Sequence, residues 1–343
     1  MATKHDNAVR TGTQAAARVH QKLRFSRQEF ATKGGSIDVF GAINEIGLPL
    51  LVRPLEGLLG AYLNEPSHGV LITSRRSMTI QRFTAAHELG HFAMKHQSSI
   101  DDESVLRRVS PGGGGSRESS DSPLQEVEAN SFAAMFLMPQ WLIALHLRRQ
   151  GWAVADLVRP ECVYQLALRL GASYEATCWT LATHRFIPDY RSRELVDTKP
   201  RALKVELLKP FEPQDYRRDV WLLTERDAGA RIDGSQTDLF VLRLPEHSGG
   251  GYLWDLEQLR ASGFAIVGDE REALDNDGIG GPVTRRITAS APESSFRGDL
   301  TLEERRPWEV DSAHSSLRFE MDLTGPEREG MSRAARRQLF EAA

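Results

Sequence analysis

The chain contains 343 residues with a formal net charge of −4, and 40% of its residues are apolar. This length predicts about two domains, and the balanced charge argues against a protein that works by wrapping nucleic acid. The apolar content is enough for ordinary cores, but no apolar run approaches the roughly 18 residues that a membrane span needs. Because the N-terminus has no apolar signal segment and the chain has 2 cysteines, we expect a cytoplasmic protein with reduced thiols.

The first half of the chain is predicted to combine helices with a small sheet. Asp38 is a suitable N-cap for a short apolar helix, which Gly47 and Pro49 end. Short apolar runs bounded by proline, glycine or asparagine predict the strands of the sheet, at residues 48–52, 58–63 and 70–73. Helical periodicity then appears at residues 79–96, 124–138 and, in pieces, 141–187.

Two stretches of the chain lack a helical or strand period. Residues 110–123 contain four consecutive glycines, which predicts a flexible loop. Residues 188–209 are polar and contain prolines, so we expect a linker between domains.

The second half of the chain changes to a period of two. Apolar residues alternate with polar ones at Leu317, Phe319, Met321 and Leu323, which is the pattern of a half-buried strand. Segments 238–244 and 285–290 are also typical of strands, and glycine-rich turns separate them, which favours an antiparallel sandwich. The predicted fold class is therefore α+β, with a helical domain and a small sheet followed by an all-β sandwich.

The sequence His87-Glu88-Leu89-Gly90-His91 is an HExxH motif. Residues four apart share one face of a helix, so the imidazoles of His87 and His91 can bind the same zinc ion. Glu88 follows the first ligand directly, where the general base of a metallopeptidase belongs. Two histidines on a solvated helix by coincidence are the alternative, but the apolar and small neighbours of the motif favour a buried metal site.

A catalytic zinc ion needs a third protein ligand, and the helix at 124–138 offers one. Glu126 and Asn130 lie one turn apart, so Glu126 is expected to bind zinc while Asn130 accepts a hydrogen bond from a ligand imidazole. Glu128 is expected to face solvent, and His96 to be a solvated histidine at a helix end. An oxyanion donor is also expected, and the available side chains, none of which we assign to that role, are Tyr62, His68 and His184.

The segment Phe83 to His91, followed by Glu126-x-x-Ala129-Asn130-x-Phe132-Ala133 and Leu137-Met138-Pro139, resembles the ImmA/IrrE-type zinc metallopeptidases over about residues 36–187. The resemblance implies a gluzincin-like fold with one zinc ion per chain on His87, His91 and Glu126, and Glu88 as the base. Members of that family commonly cleave a transcriptional repressor or another regulatory protein. About 35 residues precede the domain, too few for a helix-turn-helix domain, which argues against direct nucleic-acid binding.

Three turns of the second half, at 242–254, 277–282 and 305–309, resemble the binding loops of chagasin-like inhibitors of papain-family cysteine peptidases. The resemblance implies an immunoglobulin-like sandwich over about residues 210–325 that presents these loops to a protein. The first loop has glycines where chagasins have the threonines that enter a peptidase cleft, and this favours recognition over inhibition. The predicted protein-binding residues are His247, Ser248, Gly249, Gly250, Gly251, Gly278, Gly280, Gly281, Arg306, Pro307 and Trp308.

The predicted order is an N-terminal arm at 1–35, the metallopeptidase domain at 36–187, the linker at 188–209, the sandwich at 210–325 and a C-terminal tail at 326–343. The leading hypothesis is a zinc endopeptidase whose sandwich recognises the protein substrate, such as a transcriptional repressor or another regulator. One alternative is a protein that binds or inhibits a cysteine peptidase through the sandwich. Another is a regulatory sensor that uses the metallopeptidase fold without cleaving anything.

Overall fold

A computed structural model describes residues 3–25, 27–102, 124–273, 283–309, 312–324 and 330–342. The predicted glycine loop at 110–123 lies outside the described residues, as do the predicted binding residues Gly278, Gly280 and Gly281. Within the described part of the chain, no helix combines the length and the apolar character that crossing a membrane requires.

The first half begins with helices α1 (Lys4–Lys22), α2 (Arg27–Lys33) and α3 (Val39–Ile46). The side chain of Asp38 caps α3 as predicted, because its Oδ1 accepts a hydrogen bond of 3.0 Å from the Gly41 N–H. Gly47 ends the helix with a φ of 79°, a conformation that glycine adopts without strain.

A four-stranded sheet follows α3, with strand order β1-β3-β2-β4. Its strands are β1 (Leu50–Arg53), β2 (Leu58–Leu63), β3 (Gly69–Thr73) and β4 (Ser99–Asp102). The first three correspond to the predicted apolar runs, whereas β4 was not predicted. It pairs antiparallel with β2 and forms one edge of this sheet.

The remaining helices of the first half pack on this sheet and on one another. They are α4 (Met78–Met94), α5 (Leu124–Leu137), α6 (Gln140–Gln150), α7 (Pro160–Leu170) and α8 (Tyr174–Thr183). The N-terminal arm belongs to this assembly, because α1 crosses α5 at Gly12. A Cβ atom at Gly12 would lie 2.1 Å from the carbonyl oxygen of Glu128, so only glycine permits this approach.

The segment expected to be a linker, 188–209, consists mainly of two helices, α9 (Asp189–Asp197) and α10 (Pro200–Leu208). Pro188 is the N-cap of α9 and Pro200 occupies the first turn of α10, where a missing N–H has no cost. Leu195 and Leu203 are buried. The prolines therefore lie at helix N-termini here. The segment does not show an apolar helical pattern because most of its residues are polar and few of its apolar side chains are buried.

The second half is a β-sandwich of two four-stranded sheets, with strand orders β5-β7-β10-β9 and β6-β12-β11-β8. Phe240 and Ile287 of the first sheet share one core with Leu302 and Phe319 of the second. The prediction of an α+β fold with a C-terminal sandwich is confirmed. The strands are β5 (Val220–Leu223), β6 (Arg231–Ser235), β7 (Leu239–Glu246), β8 (Leu253–Asp255), β9 (Ala265–Ala273), β10 (Val283–Ser290), β11 (Phe296–Arg305) and β12 (Ala313–Thr324).

A buried ion pair connects the two halves of the molecule. Arg169 of α7 lies 2.8 Å from the carboxylate of Asp227 in the second half, and both side chains are buried. Two short helices complete the second half, α11 (Glu257–Ala261) and α12 (Arg333–Glu341). Arg333 of the C-terminal helix contacts Asp233 and the Ser36 carbonyl, so the tail also joins both halves.

Candidate metal centre and recognition loops

Helix α4 carries the HExxH motif in the interior of the first half, where every residue from 81 to 91 is buried. His87 and His91 are one turn apart, and their Nε2 atoms face each other at 2.9 Å. Glu88 is 0% exposed. The motif is therefore a buried pair of imidazoles with a carboxyl group beside it.

Glu126 reaches this pair from the first turn of α5. One of its carboxylate oxygens lies 3.4 Å from Nε2 of His87, and the other lies 3.7 Å from Nε2 of His91. The two helices approach closely because Gly90 faces the ring of Phe132, where an added Cβ would lie 3.0 Å from the ring. The structure thus brings together the three residues that the sequence analysis proposed as ligands.

Asp101 is a fourth member of the cluster and was not among the predicted ligands. Its Oδ2 lies 3.0 Å from Nε2 of His87, and the residue is 3% exposed. It comes from the edge strand β4, where the usual alternation is inverted, since Ile100 is 71% exposed while Ser99 and Asp101 point inward. A four-residue strand with its apolar side chain outward gives no hydrophobic pattern, so only the fold identifies Asp101.

The geometry of these four residues fits a metal ion. One nitrogen or oxygen atom from each of His87, His91, Asp101 and Glu126 lies within 4.8 Å of the others. Tetrahedral zinc with bonds of about 2.1 Å separates its ligand atoms by about 3.4 Å, and the contacts between 2.9 and 3.7 Å span that distance. Asp101 Oδ2 and Glu126 Oε2 are buried and lie 3.0 and 3.4 Å from the same Nε2 atom of His87, as expected where lone pairs converge on a cation.

The electrostatics of the cluster also favour a positive charge at its centre. Burial disfavours protonation of His87, but the carboxylates of Asp101 and Glu126 outweigh it and raise the pKa of His87 to about 10. Burial and then the charge on His87 lower the pKa of His91 to about 3. Burial and repulsion from Asp101 raise the pKa of Glu88 well above its ordinary value. These shifts place a positive charge on His87 beside the carboxylates of Asp101 and Glu126, at the point where a metal ion would supply that charge.

A second group of side chains orients His91. Its Nδ1 lies 3.0 Å from Nδ1 of His96, and Nε2 of His96 lies 2.9 Å from a carboxylate oxygen of Glu128. If His91 donates from Nδ1 and His96 donates from Nε2 to Glu128, Nε2 of His91 keeps its lone pair for a metal ion. The expectation of a solvated His96 and a solvent-facing Glu128 is thus wrong, because their side chains are only 10% and 23% exposed.

Asn130 does not occupy the position expected for it. Its Oδ1 is buried without a hydrogen-bond partner among the described residues, and the imidazole of His91 is held by His96 instead. The available oxyanion donors also have other contacts. The Tyr62 hydroxyl lies 2.9 Å from Nδ1 of His68, and Nε2 of His184 lies 2.9 Å from the Met138 carbonyl oxygen.

Two of the predicted recognition loops lie side by side at one end of the sandwich. The first continues from His247 through a single 3-10 turn, Ser248–Gly250. The ring of Trp308 lies over Gly251, where an added Cβ would be 2.7 Å from it. Arg306 donates from Nε to the Gly250 carbonyl oxygen at 3.1 Å, and Trp308 is 69% exposed. An exposed indole on an otherwise glycine-rich loop pair is suited to binding a protein.

Comparison with known families agrees with both halves of this description. Residues 50–182 match the family model of the IrrE N-terminal-like domain, peptidase family M78. Residues 235–323 match the family model of the chagasin peptidase inhibitors, family I42. A search of the curated proteins gave no match to the chain.

Two similar solved structures each cover about a third of the chain. A cysteine protease inhibitor from Entamoeba histolytica is 22% identical, with a TM-score of 0.28, over 32% of this chain and 100% of its own. The solution structure of Amebosin is 18% identical, with a TM-score of 0.26, over 31% of this chain and 98% of its own. The two sequence resemblances are confirmed: the family models find an IrrE N-terminal-like domain in the first half of the chain and a chagasin-family inhibitor domain in the second half.

Proposed function

We propose that the protein is a zinc-dependent endopeptidase that cleaves a specific regulatory or partner protein and recognises that protein through its sandwich. The observation that carries this proposal is the convergence of two imidazoles and Glu126 on one buried point beside Glu88. Zinc at that point would polarise the scissile carbonyl and lower the pKa of a water molecule. A transcriptional repressor is one substrate of the proposed class.

The residues of the site would have three roles: binding the metal ion, orienting a ligand and transferring a proton. His87, His91 and Glu126 would hold the zinc ion, while His96 and Glu128 fix the ring orientation of His91. Glu88 would accept a proton at its carboxylate from the attacking water and deliver it to the leaving amine.

Asp101 occupies the position that a catalytic metal ion would leave open to water or substrate. Catalytic zinc usually has three protein ligands and an open position, whereas four protein groups converge here. All four are buried. In the proposed mechanism Asp101 would have to leave the cluster for the zinc ion to have an open position for water and substrate.

The proposal is tested by substrate trapping with Glu88→Gln. This variant is expected to bind zinc and fold normally, to capture the substrate from a lysate and to leave it uncut, because only the base is missing. Glu45→Gln, a change at an exposed glutamate of α3, is the matched control and is expected to cleave normally. Cleavage of the captured protein by purified Glu88→Gln would refute the mechanism, as would cleavage in the presence of a chelator.

A second candidate function is binding of a cysteine peptidase by the sandwich, which the exposed Trp308 supports. The glycines at 249–251 oppose it, because they carry no side chains that could enter a peptidase cleft. We therefore expect no sub-micromolar inhibition of a papain-like peptidase by the full-length protein. Tight inhibition that is abolished by Trp308→Ala would favour peptidase binding over substrate recognition as the function of the sandwich.

A further inference from the structure

A second cluster of metal-ligating side chains lies in the sandwich, outside the peptidase half. His247, Glu304 and His314 each offer one ligand atom, and these atoms all lie within 4.8 Å of one another. His247 begins the first recognition loop, Glu304 is on β11, and His314 is on β12. Two imidazoles and one carboxylate form a ligand set that is common for zinc.

Glu304 is the central residue of this cluster and is 0% exposed. It accepts a hydrogen bond of 2.6 Å from the backbone N–H of His247, and both of its carboxylate oxygens lie 3.1 Å from the Nδ1 atom of that residue. A buried carboxylate is costly unless a cation neutralises it. The neighbouring Glu246, also 0% exposed, pairs with the arginines Arg271 and Arg285, whereas Glu304 has no lysine or arginine partner among the described residues.

The backbone places His314 beside this carboxylate. The pairing of β11 with β12 shifts between Glu304, which is opposite Ser315, and Arg305, which is opposite Ala313. His314 is therefore the extra residue of a β-bulge, a feature that redirects a side chain out of the regular alternation. Stacking on Tyr252, with a ring separation of 4.5 Å, supports the imidazole in this position.

The two imidazoles have the same ring separation as the HExxH pair and a similar interplanar angle. The ring centroids of His247 and His314 are 4.7 Å apart with an interplanar angle of 70°. In the peptidase half, the rings of His87 and His91 are 4.7 Å apart at 66°. The spacing of the second pair is thus suited to binding one ion between the rings, with Glu304 as the third ligand.

We propose that His247, Glu304 and His314 form a second zinc site, which fixes the first recognition loop to strands β11 and β12. The ion would neutralise the buried carboxylate and anchor a loop that contains three glycines in a row, next to the exposed ring of Trp308. Zinc would then supply the loop rigidity that the glycines do not. This site does not depend on the proposed peptidase activity.

The site is tested by zinc titration of the metal-stripped full-length protein, with bound zinc measured after equilibrium dialysis. The wild type is expected to bind two equivalents. His314→Ala and His87→Ala are each expected to bind one, and the double variant none. His5→Ala, at an exposed histidine of α1, is the control and is expected to keep both. If His314→Ala binds as much zinc as the wild type, the second site does not exist.

The same titration separates this proposal from the peptidase proposal. One equivalent in the wild type that is lost in His314→Ala would support the sandwich site and remove the peptidase site. One equivalent that is lost only in His87→Ala would do the reverse.

Hydrogen exchange provides a second test, because it measures the protection of the loop amides and not the amount of bound zinc. Zinc is expected to slow amide exchange in residues 247–252 of His87→Ala, because the ion anchors the loop, but not in the variant that also carries His314→Ala. His314 is exposed, so its replacement should leave the fold intact, and the melting temperature without zinc verifies this. Equal exchange with and without zinc in His87→Ala would contradict the anchoring role.

Discussion

Two glutamates on α5, only two residues apart, are expected to affect zinc binding differently. Glu126→Ala should abolish binding at the peptidase site, because it removes a ligand. Glu128→Ala should keep the ion but weaken its affinity by about 10- to 100-fold, because His96 then no longer holds the ring of His91. Competition with a chelator of known affinity measures both effects. Equal loss of zinc in the two variants would contradict the assigned roles. Loss in Glu128→Ala alone would show that Glu128, and not Glu126, is the ligand.

Asp101 is expected to restrain the site rather than to build it. Asp101→Ala should retain zinc on the three remaining ligands and should cleave the substrate faster, because the fourth position becomes open. In the cobalt-substituted protein, the visible absorption bands should shift when water replaces the carboxylate. Asp102→Ala, at the outward-facing neighbour, is the control and should leave the spectrum unchanged. Complete loss of metal in Asp101→Ala would show that Asp101 is an obligatory ligand.

Replacement of the two tryptophans near the recognition loops is expected to have different effects, one on partner binding and the other on stability. Trp308 is 69% exposed, so Trp308→Ala should keep the melting temperature and weaken partner binding by about 2 kcal/mol or more. Trp254 is 4% exposed, and Trp254→Ala should destabilise the fold by about 3 to 5 kcal/mol. Calorimetry and a binding assay on both variants measure the two effects. A large loss of stability in Trp308→Ala would mean that this side chain is structural.

At the scale of single elements, α6 introduces a pH dependence through His146. Its Nε2 lies 3.0 Å from the Gly35 carbonyl oxygen, and Arg169, Arg149 and Asp227 are the charged groups around it. Burial lowers the pKa of His146 to about 4 from 6.5 in the unfolded chain. Between these values the unfolded chain binds a proton that the folded chain does not, so stability falls as the pH falls from 6.5 to 4.

The contribution of His146 is at most about 1.4 kcal/mol per pH unit within that window. His146→Gln keeps a nitrogen near the Gly35 carbonyl oxygen but cannot titrate, so its urea midpoint should change less between pH 7 and pH 5 than that of the wild type. Both proteins should respond alike between pH 7 and pH 8. Equal acid sensitivity of the two proteins would show that His146 does not contribute.

Element boundaries show which local signals dominate in this chain. Prolines predicted a linker at 188–209, but they lie at the N-terminal ends of α9 and α10, where proline is compatible with a helix. Strand β4 escaped prediction because Ile100 points outward and Asp101 inward. The capped helix α3 was predicted well, because its cap and its terminating glycine are both local features.

At the scale of the whole molecule, the two halves depend on each other. Arg169 donates to Asp227 and to the Leu222 carbonyl oxygen, both in the second half, and is itself buried. Asp227→Ala should therefore destabilise the full-length protein by about 3 to 5 kcal/mol, because it leaves a buried guanidinium without its partner. Chemical denaturation measures the loss, and Glu225→Ala, at an exposed position nearby, should change stability little. A stable Asp227→Ala variant would indicate that the halves are joined loosely.

The sequence by itself determined the features that depend on neighbours along the chain. The spacing of four residues predicts that His87 and His91 share one face of a helix, and the structure has their Nε2 atoms 2.9 Å apart. The alternation of apolar and polar residues predicts the strands of the sandwich, because it defines one face of a strand. The two family resemblances also follow from short motifs with fixed spacing. Glu126 was predicted as a ligand from its place on the next helix, and the fold brings it to the same point as the histidines.

Only the tertiary structure decided which distant side chains meet. Asp101 joins the candidate metal cluster because β4 pairs with β2, and His96 meets Glu128 because α4 packs against α5. His314 reaches Glu304 through a bulge between β11 and β12. In each case the contact depends on the pairing or packing of whole elements, whose energy is distributed over many apolar residues and leaves no local pattern at the polar residue that uses it.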